Sequence, residues 1–196
     1  MNVTLRTPLM TREQFFGWAE AQDSRYEFDS VRPVAMTGGT LGHSQIMLNI
    51  QSALRLRLKG GPCQPLGPDA GVATMGEAVR YPDALITCTK FAADDHLAPG
   101  VVAVFEVLSK TSGRIDRIDK VREYQAVPSI LRYIVVERIS IAATIFERSA
   151  GHDLWTARTV TSGDIVHIPE AGIEIPLDDF YEGTGLTGTA QPATDD

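Results

Sequence analysis

Apolar positions along this chain follow two periods, one helical and one of strands. Ile46, Ile50, Ala53, Leu54 and Leu58 fall near i, i+4, i+7 and i+8, an amphipathic stripe that predicts a helix over residues 41–59. Gly60-Gly61-Pro62 stops it. A shorter helix over 12–21 opens on Thr11-Arg12-Glu13-Gln14, a capping-box pattern followed by Phe15, Phe16, Trp18 and Ala19. Tyr26-Glu27-Phe28 and Val31 to Met36 flank the polar pair Asp29-Ser30, as in a two-stranded ribbon. Strand-like runs follow at 63–66, 70–74, 82–88 and 101–108. The last, Val101 to Leu108, is apolar on both alternating faces except at Glu106, the pattern of a strand buried centrally in a sheet. A helix over 114–125, a hairpin of 131–136 with 140–148, strands near 154–160 and 164–168, and a short helix over 176–181 complete the reading. Residues 187–196 are small and polar and are expected to form a disordered tail.

That order implies a mixed α/β or α+β architecture. No internal repeat or linker divides it, so residues 10–186 are expected to form one domain. A chain of 196 residues with 43% hydrophobic positions can build a core and is too apolar for intrinsic disorder. No apolar run approaches the roughly 20 residues of a bilayer span, and the N-terminus lacks the apolar stretch of a secretory signal. The expectation is therefore a soluble, cytoplasmic protein. Two cysteines, Cys63 and Cys88, are too few for a disulfide scaffold.

The net charge of −7 argues at first against a nucleic-acid partner. Yet residues 164–196 hold eight acids and no Lys or Arg, so the preceding part carries +1. Within it lie two basic groups, Arg55, Arg57 and Lys59, then Lys110, Arg114, Arg117, Lys120 and Arg122. A basic face can coexist with an acidic total.

Two carboxylates carry the candidate chemistry. Asp83 follows Pro82 at the opening of one strand, and Glu106 sits in the most apolar strand. An ionised carboxylate in such a place needs a cation or donors. Mg²⁺ is one such cation, usually held by one or two carboxylates and waters; a paired, purely structural Glu is the other explanation. Lys120 shares a helix face with Asp116 and Tyr124 and can offset charge near a metal or phosphate. The run Gly38-Gly39-Thr40-Leu41-Gly42-His43-Ser44 lacks the spacing and lysine of a phosphate-binding loop. The four histidines lack zinc-site spacing, and neither Ser109 nor Ser112 sits in a nucleophile elbow.

Six short segments, in order, resemble a known family. They are Tyr26-Glu27-Phe28-Asp29, Gly42-His43-Ser44, Tyr81-Pro82-Asp83, Phe105-Glu106-Val107-Leu108-Ser109, Asp119-Lys120 with Tyr124, and Pro128-Ser129-Ile130 before Tyr133-Ile134-Val135-Val136. The family is the restriction endonuclease-like one, a large and poorly characterised bacterial family of the PD-(D/E)XK nuclease superfamily, and the likeness spans about residues 10–184. The resemblance implies a restriction-endonuclease-like α/β core: a central mixed sheet flanked by helices, here with an added N-terminal helix and β-ribbon. It implies a Mg²⁺- or Mn²⁺-dependent endonuclease acting on DNA. In that reading Asp83, Glu106 and the Val107 carbonyl bind the metal, while Glu27 and Lys120 complete the catalytic set. His43, Asp69 and Tyr124 take supporting roles. Arg114, Arg117 and Arg122 would contact phosphates.

Three positions depart from the family pattern. Leu108 stands where the superfamily has lysine, which moves that role to Lys120 on the next helix. Ser30 replaces a turn glycine, and Lys110 replaces a proline. The competing expectation is a catalytically inactive nucleic-acid-binding or regulatory module on the same fold. Neither involves a membrane. A homodimer is expected to supply the groove that one small acidic subunit lacks.

Overall fold

The computed structural model describes residues 10–109, 118–148 and 154–188. Helix α1 (Arg12–Ala19) begins with the expected capping box: the Gln14 amide donates to Thr11 Oγ1 at 3.2 Å, and the Thr11 amide to Gln14 Oε1 at 2.7 Å. Strands β1 (Tyr26–Phe28) and β2 (Pro33–Ala35) form the antiparallel ribbon. In its turn Ser30 has φ 72°, and among the described residues it alone holds a positive φ without being glycine. Asp29 Oδ1 secures the turn by accepting from the Val31 and Arg32 amides. The serine thus occupies the backbone conformation that the family's glycine suits.

Helix α2 (Leu41–Leu58) buries Ile46, Ile50, Ala53, Leu54 and Leu58, the five residues of the predicted stripe. It lies on one face of a six-stranded mixed sheet. In spatial order that sheet contains β10 (Trp155–Thr161), β9 (Ala142–Arg148), β8 (Arg132–Val136), β7 (Val101–Val107), β6 (Ala84–Thr87) and β3 (Gln64–Leu66). Only β7 and β8 run parallel; α3 (Lys120–Gln125) lies in the connection between them. Strand β7 is internal, flanked by β6 and β8, as its two-faced apolar pattern requires. Its Ala103, Phe105 and Val107 pack towards α2, whereas Val104 joins Tyr124 and Tyr133 on the opposite face. Glu106 points to that second face.

A second, four-stranded sheet has the order β2-β1-β5-β4, adding β4 (Val72–Ala73) and β5 (Val79–Arg80). Phe15 stacks on Phe28 at 5.2 Å beside Val79, which joins α1 to this sheet. Strands β11 (Ile165–Ile168) and β12 (Ile173–Pro176) form a separate hairpin, followed by a 3₁₀ turn at Leu177–Tyr181. The sequence pattern thus gives a single run at 82–88 but misses β5, whose two residues are too short to show a period, and β12. The helix expected over 114–125 is α3 over its second half; 114–117 fall outside the described residues, as does 189–196 of the expected tail.

Two cysteines are too few for a disulfide framework, but Cys63 and Cys88 are joined by one disulfide across the β3–β6 pair. Such bonds are commoner in oxidising compartments. No helix among the described residues is long and apolar enough to cross a membrane. The disulfide joins residues 25 apart in sequence, for which chain entropy gives about 3.5 kcal/mol of stabilisation. Reduction with dithiothreitol is expected to lower the unfolding free energy by about that amount in a guanidinium titration. A Cys63→Ala/Cys88→Ala variant should show no response to reductant.

Candidate active site

The site is assembled where the two sheets meet α3. Glu106, on β7, is 7% exposed at its side chain, and Lys120, on the first residue of α3, is 8% exposed. Lys120 Nζ donates to Glu106 Oε1 at 2.7 Å, and the Tyr124 hydroxyl donates to the same oxygen at 3.2 Å. Lys120 and Tyr124 are one helical turn apart, so both reach the strand from one side of α3. Lysine is almost never buried this far unless paired. The carboxylate of Glu106 thus meets an ammonium and a phenol where the sequence required a compensating partner. Burial first, then the Glu106 charge, pushes the Tyr124 phenol well above its ordinary pKa.

Glu27 enters from β1. Its Oε1 lies 3.4 Å from Lys120 Nζ and accepts from the Tyr81 amide at 3.2 Å; its Oε2 accepts from Arg80 Nη1 at 2.9 Å. Arg80 in turn holds Glu123 through two bonds, Nε to Oε2 at 2.7 Å and Nη2 to Oε1 at 2.6 Å. Thr74 Oγ1 adds a bond to Glu123 at 3.2 Å. Burial pulls the Arg80 guanidinium down, but its bonds and charges with Glu123 and Glu27 more than offset that and hold it above its ordinary value. Charges therefore alternate along Glu106, Lys120, Glu27, Arg80 and Glu123.

Asp83 stands one residue before β6. The antiparallel register pairs Ala84 with Phe105, so the next step of the ladder sets Asp83 opposite Glu106. Its side chain, however, engages a different set. Asp83 Oδ2 accepts from the Val107 amide at 2.7 Å, and Oδ1 lies 3.2 Å from His43 Nε2. His43 sits in the first turn of α2, where Thr40 Oγ1 caps the His43 amide at 3.3 Å and fixes that turn. Gln51, further along α2, donates to the Asp83 carbonyl at 2.9 Å.

The structure thus brings Glu27, Glu106, Lys120 and Tyr124 into one bonded cluster, and Asp83 with His43 beside it at Val107. Asp69 does not join them. It lies at the surface, paired with Arg25 at 3.1 Å. Arg122 is exposed on α3, while Arg114 and Arg117 fall outside the described residues. Of the other basic group, Arg55 and Lys59 are exposed, but Arg57 is tied to Asp179 at 2.7 Å. Sequence reasoning missed Arg80 and Glu123. Two signals pointed to them: Arg80 immediately precedes Tyr81-Pro82-Asp83, and Glu123 lies three residues after Lys120 on the same helix.

Among the described residues, no three His, Cys, Asp or Glu side chains converge as a ready-made metal cage. The donor set is nevertheless hard. Three carboxylates (Glu27, Glu106 and Glu123) face two cations, Lys120 and Arg80, leaving an excess of one negative charge, and Asp83 with His43 stands beside them. Carboxylate oxygens with an excess negative charge suit a small divalent ion.

Residues 12–178 match the Uma2 family, described as "Putative restriction endonuclease". The chain belongs to this family and is nuclease-like. It is 24% identical over 178 residues to an uncharacterized protein from Synechocystis sp., covering 90% of this chain and 93% of the relative. Its fold is similar to that of a crystal structure from Anabaena variabilis, described as a "putative nuclease belonging to DUF820". There the TM-score is 0.67 at 10% identity, with 88% of this chain and 97% of the other covered. The expected restriction-endonuclease-like α/β architecture with a central mixed sheet therefore holds.

The raised Tyr124 pKa has a measurable consequence. Because the folded protein keeps this phenol protonated after the unfolded chain ionises, its contribution is intact below about pH 10 and is lost as pH rises beyond it. Tyr124→Phe is expected to flatten the alkaline fall in unfolding free energy by roughly 1 kcal/mol per pH unit above pH 10, read from denaturant titrations at successive pH values. An unchanged slope would show that Tyr124 ionises freely in the folded state.

Proposed function

We propose that this protein is a Mg²⁺- or Mn²⁺-dependent endonuclease that hydrolyses phosphodiester bonds of DNA. The observation that carries the reading is the buried Glu106 on β7 with Lys120 Nζ at 2.7 Å and Asp83 immediately before the adjoining strand β6. Asp83, Glu106 and the Val107 carbonyl would hold the ion. When bound, the ion would supply Lewis-acid activation of water and neutralise charge on the scissile phosphate.

The chain's own residues have distinct parts. Lys120 supplies a positive charge beside Glu106, where it would stabilise the extra negative charge of the pentacoordinate phosphorus. Glu27 holds Lys120 from its other side. Tyr124 keeps Glu106 oriented through its hydroxyl. His43 would take the same orienting role for Asp83. The exposed Arg122, with Arg114 and Arg117 in the same reading, would contact backbone phosphates and so position DNA without reading its sequence. Two copies of the chain would widen that cationic surface.

One observation favours a second reading, a catalytically inactive nucleic-acid-binding module: both Asp83 and Glu106 already have protein partners. Metal titration separates the two. The active reading expects millimolar Mn²⁺ to raise the melting temperature of the wild type and leave that of Glu106→Ala unchanged, since a ligand that binds only the folded state stabilises it. It also expects Mn²⁺-dependent nicking of supercoiled DNA to fall at least a hundredfold in Asp83→Ala and Lys120→Met. Cleavage equal to wild type in Asp83→Ala would end the assignment.

A further inference from the structure

We propose that Arg80 is a positioning residue: by clasping Glu123 and holding Glu27, it fixes Lys120 of α3 against Glu106. The kinetic side of this inference rests on the nuclease reading; the structural side stands without it.

Arg80 is 6% exposed at its side chain and lies at the end of β5, in the second sheet. Its guanidinium makes three bonds to two carboxylates from two other elements, β1 and α3. Glu123 follows Lys120 by three residues, so a bidentate grip on Glu123 sets how α3 is rotated over β7 and hence where Lys120 Nζ lies. Thr74, from β4 of the same sheet, reinforces the grip.

Charge accounting leads to the same residue. Glu27 and Glu123 are both mostly buried, at 12% and 13% exposed. Without the guanidinium Glu123 would be left with the Thr74 hydroxyl, and Glu27 with the Tyr81 amide and Lys120, a costly shortage of positive charge. Among the described residues the other cation paired with Glu27 is Lys120, 3.4 Å from its Oε1. Lys120 would then be drawn from Glu106 towards Glu27. Lysine at position 80 cannot repair this, because one ammonium lacks the planar fork that spans both oxygens of Glu123 while reaching Glu27.

The experiment is Arg80→Lys, studied by backbone hydrogen exchange and by Mn²⁺-dependent nicking of supercoiled plasmid DNA. Expected are at least tenfold faster exchange of the 120–125 amides, and a kcat at least tenfold lower with KM within twofold of wild type. Arg132→Lys is the control: it disrupts another partly buried ion cluster, that of Arg132 with Glu147 and Glu170 at the start of β8. It should leave α3 exchange and kcat unchanged. Wild-type exchange of α3 in Arg80→Lys, a KM increase in place of the kcat loss, or equal effects in Arg132→Lys would overturn the inference. Should Arg80→Lys not fold, Glu123→Gln keeps the side-chain shape and removes its charge; the same direction of change at smaller size supports the inference, and none refutes it. If the wild type does not cut DNA, the nuclease reading falls, and the exchange measurement alone still decides whether Arg80 fixes α3.

Discussion

The pairing of Glu106 with Lys120 is the constraint around which this fold is arranged. A carboxylate on the internal strand of a sheet, among Val104, Tyr133 and Val135, remains ionised only if a cation is brought to it. That cation is itself a lysine with little access to water, and a buried ammonium is as costly as a buried carboxylate. Each charge added to satisfy one group thus creates the need for another. The alternation from Glu106 to Glu123 is the result, and at its two ends the Tyr124 and Thr74 hydroxyls supply neutral donors.

This chain of charges also explains why a molecule with one large sheet carries a small second one. Glu106 belongs to the six-stranded sheet, Lys120 and Glu123 to α3, and Glu27 and Arg80 to the four-stranded sheet. The apolar contacts of the small sheet are modest: Phe15, Phe28 and Val79 form its buried centre. Its ion pairs give what apolar contacts cannot, a preferred direction and distance. A buried polar network of this kind is weak evidence for net stability, since well-packed apolar side chains can serve as well. What the network does here is fix the positions of Lys120 and Glu106.

The parts legible in the sequence were those governed by period or by a local rule. The stripe from Ile46 to Leu58, the Thr11–Gln14 capping box and the two-faced strand around Glu106 each need only a short window, and each matched the structure. Asp83, Glu106 and Lys120 stood out through an apolar strand and a family resemblance. Asp69 was drawn in by resemblance alone and sits at the surface. Arg80 and Glu123 stayed hidden because their meaning is a pairing across 43 residues of chain. A two-residue strand such as β5 carries no period to announce it. The Cys63–Cys88 bond was hidden for the same reason, being set by the β3–β6 register.

The same accounting links architecture to chemistry. A site whose carboxylates were fully balanced by fixed cations would have no electrostatic reason to admit a divalent ion. Here three carboxylates meet two such cations, so one negative charge is left in excess, with Asp83 close by on His43. Arg80 is committed to Glu27 and Glu123 at one end of the network, while Asp83 stands immediately before the strand beside Glu106 at the other. A lysine held between two acids, and not at a strand position two residues after the glutamate, then becomes an intelligible variation. The strand fixes the acids, the helix brings the amine, and the second sheet decides where that helix stands.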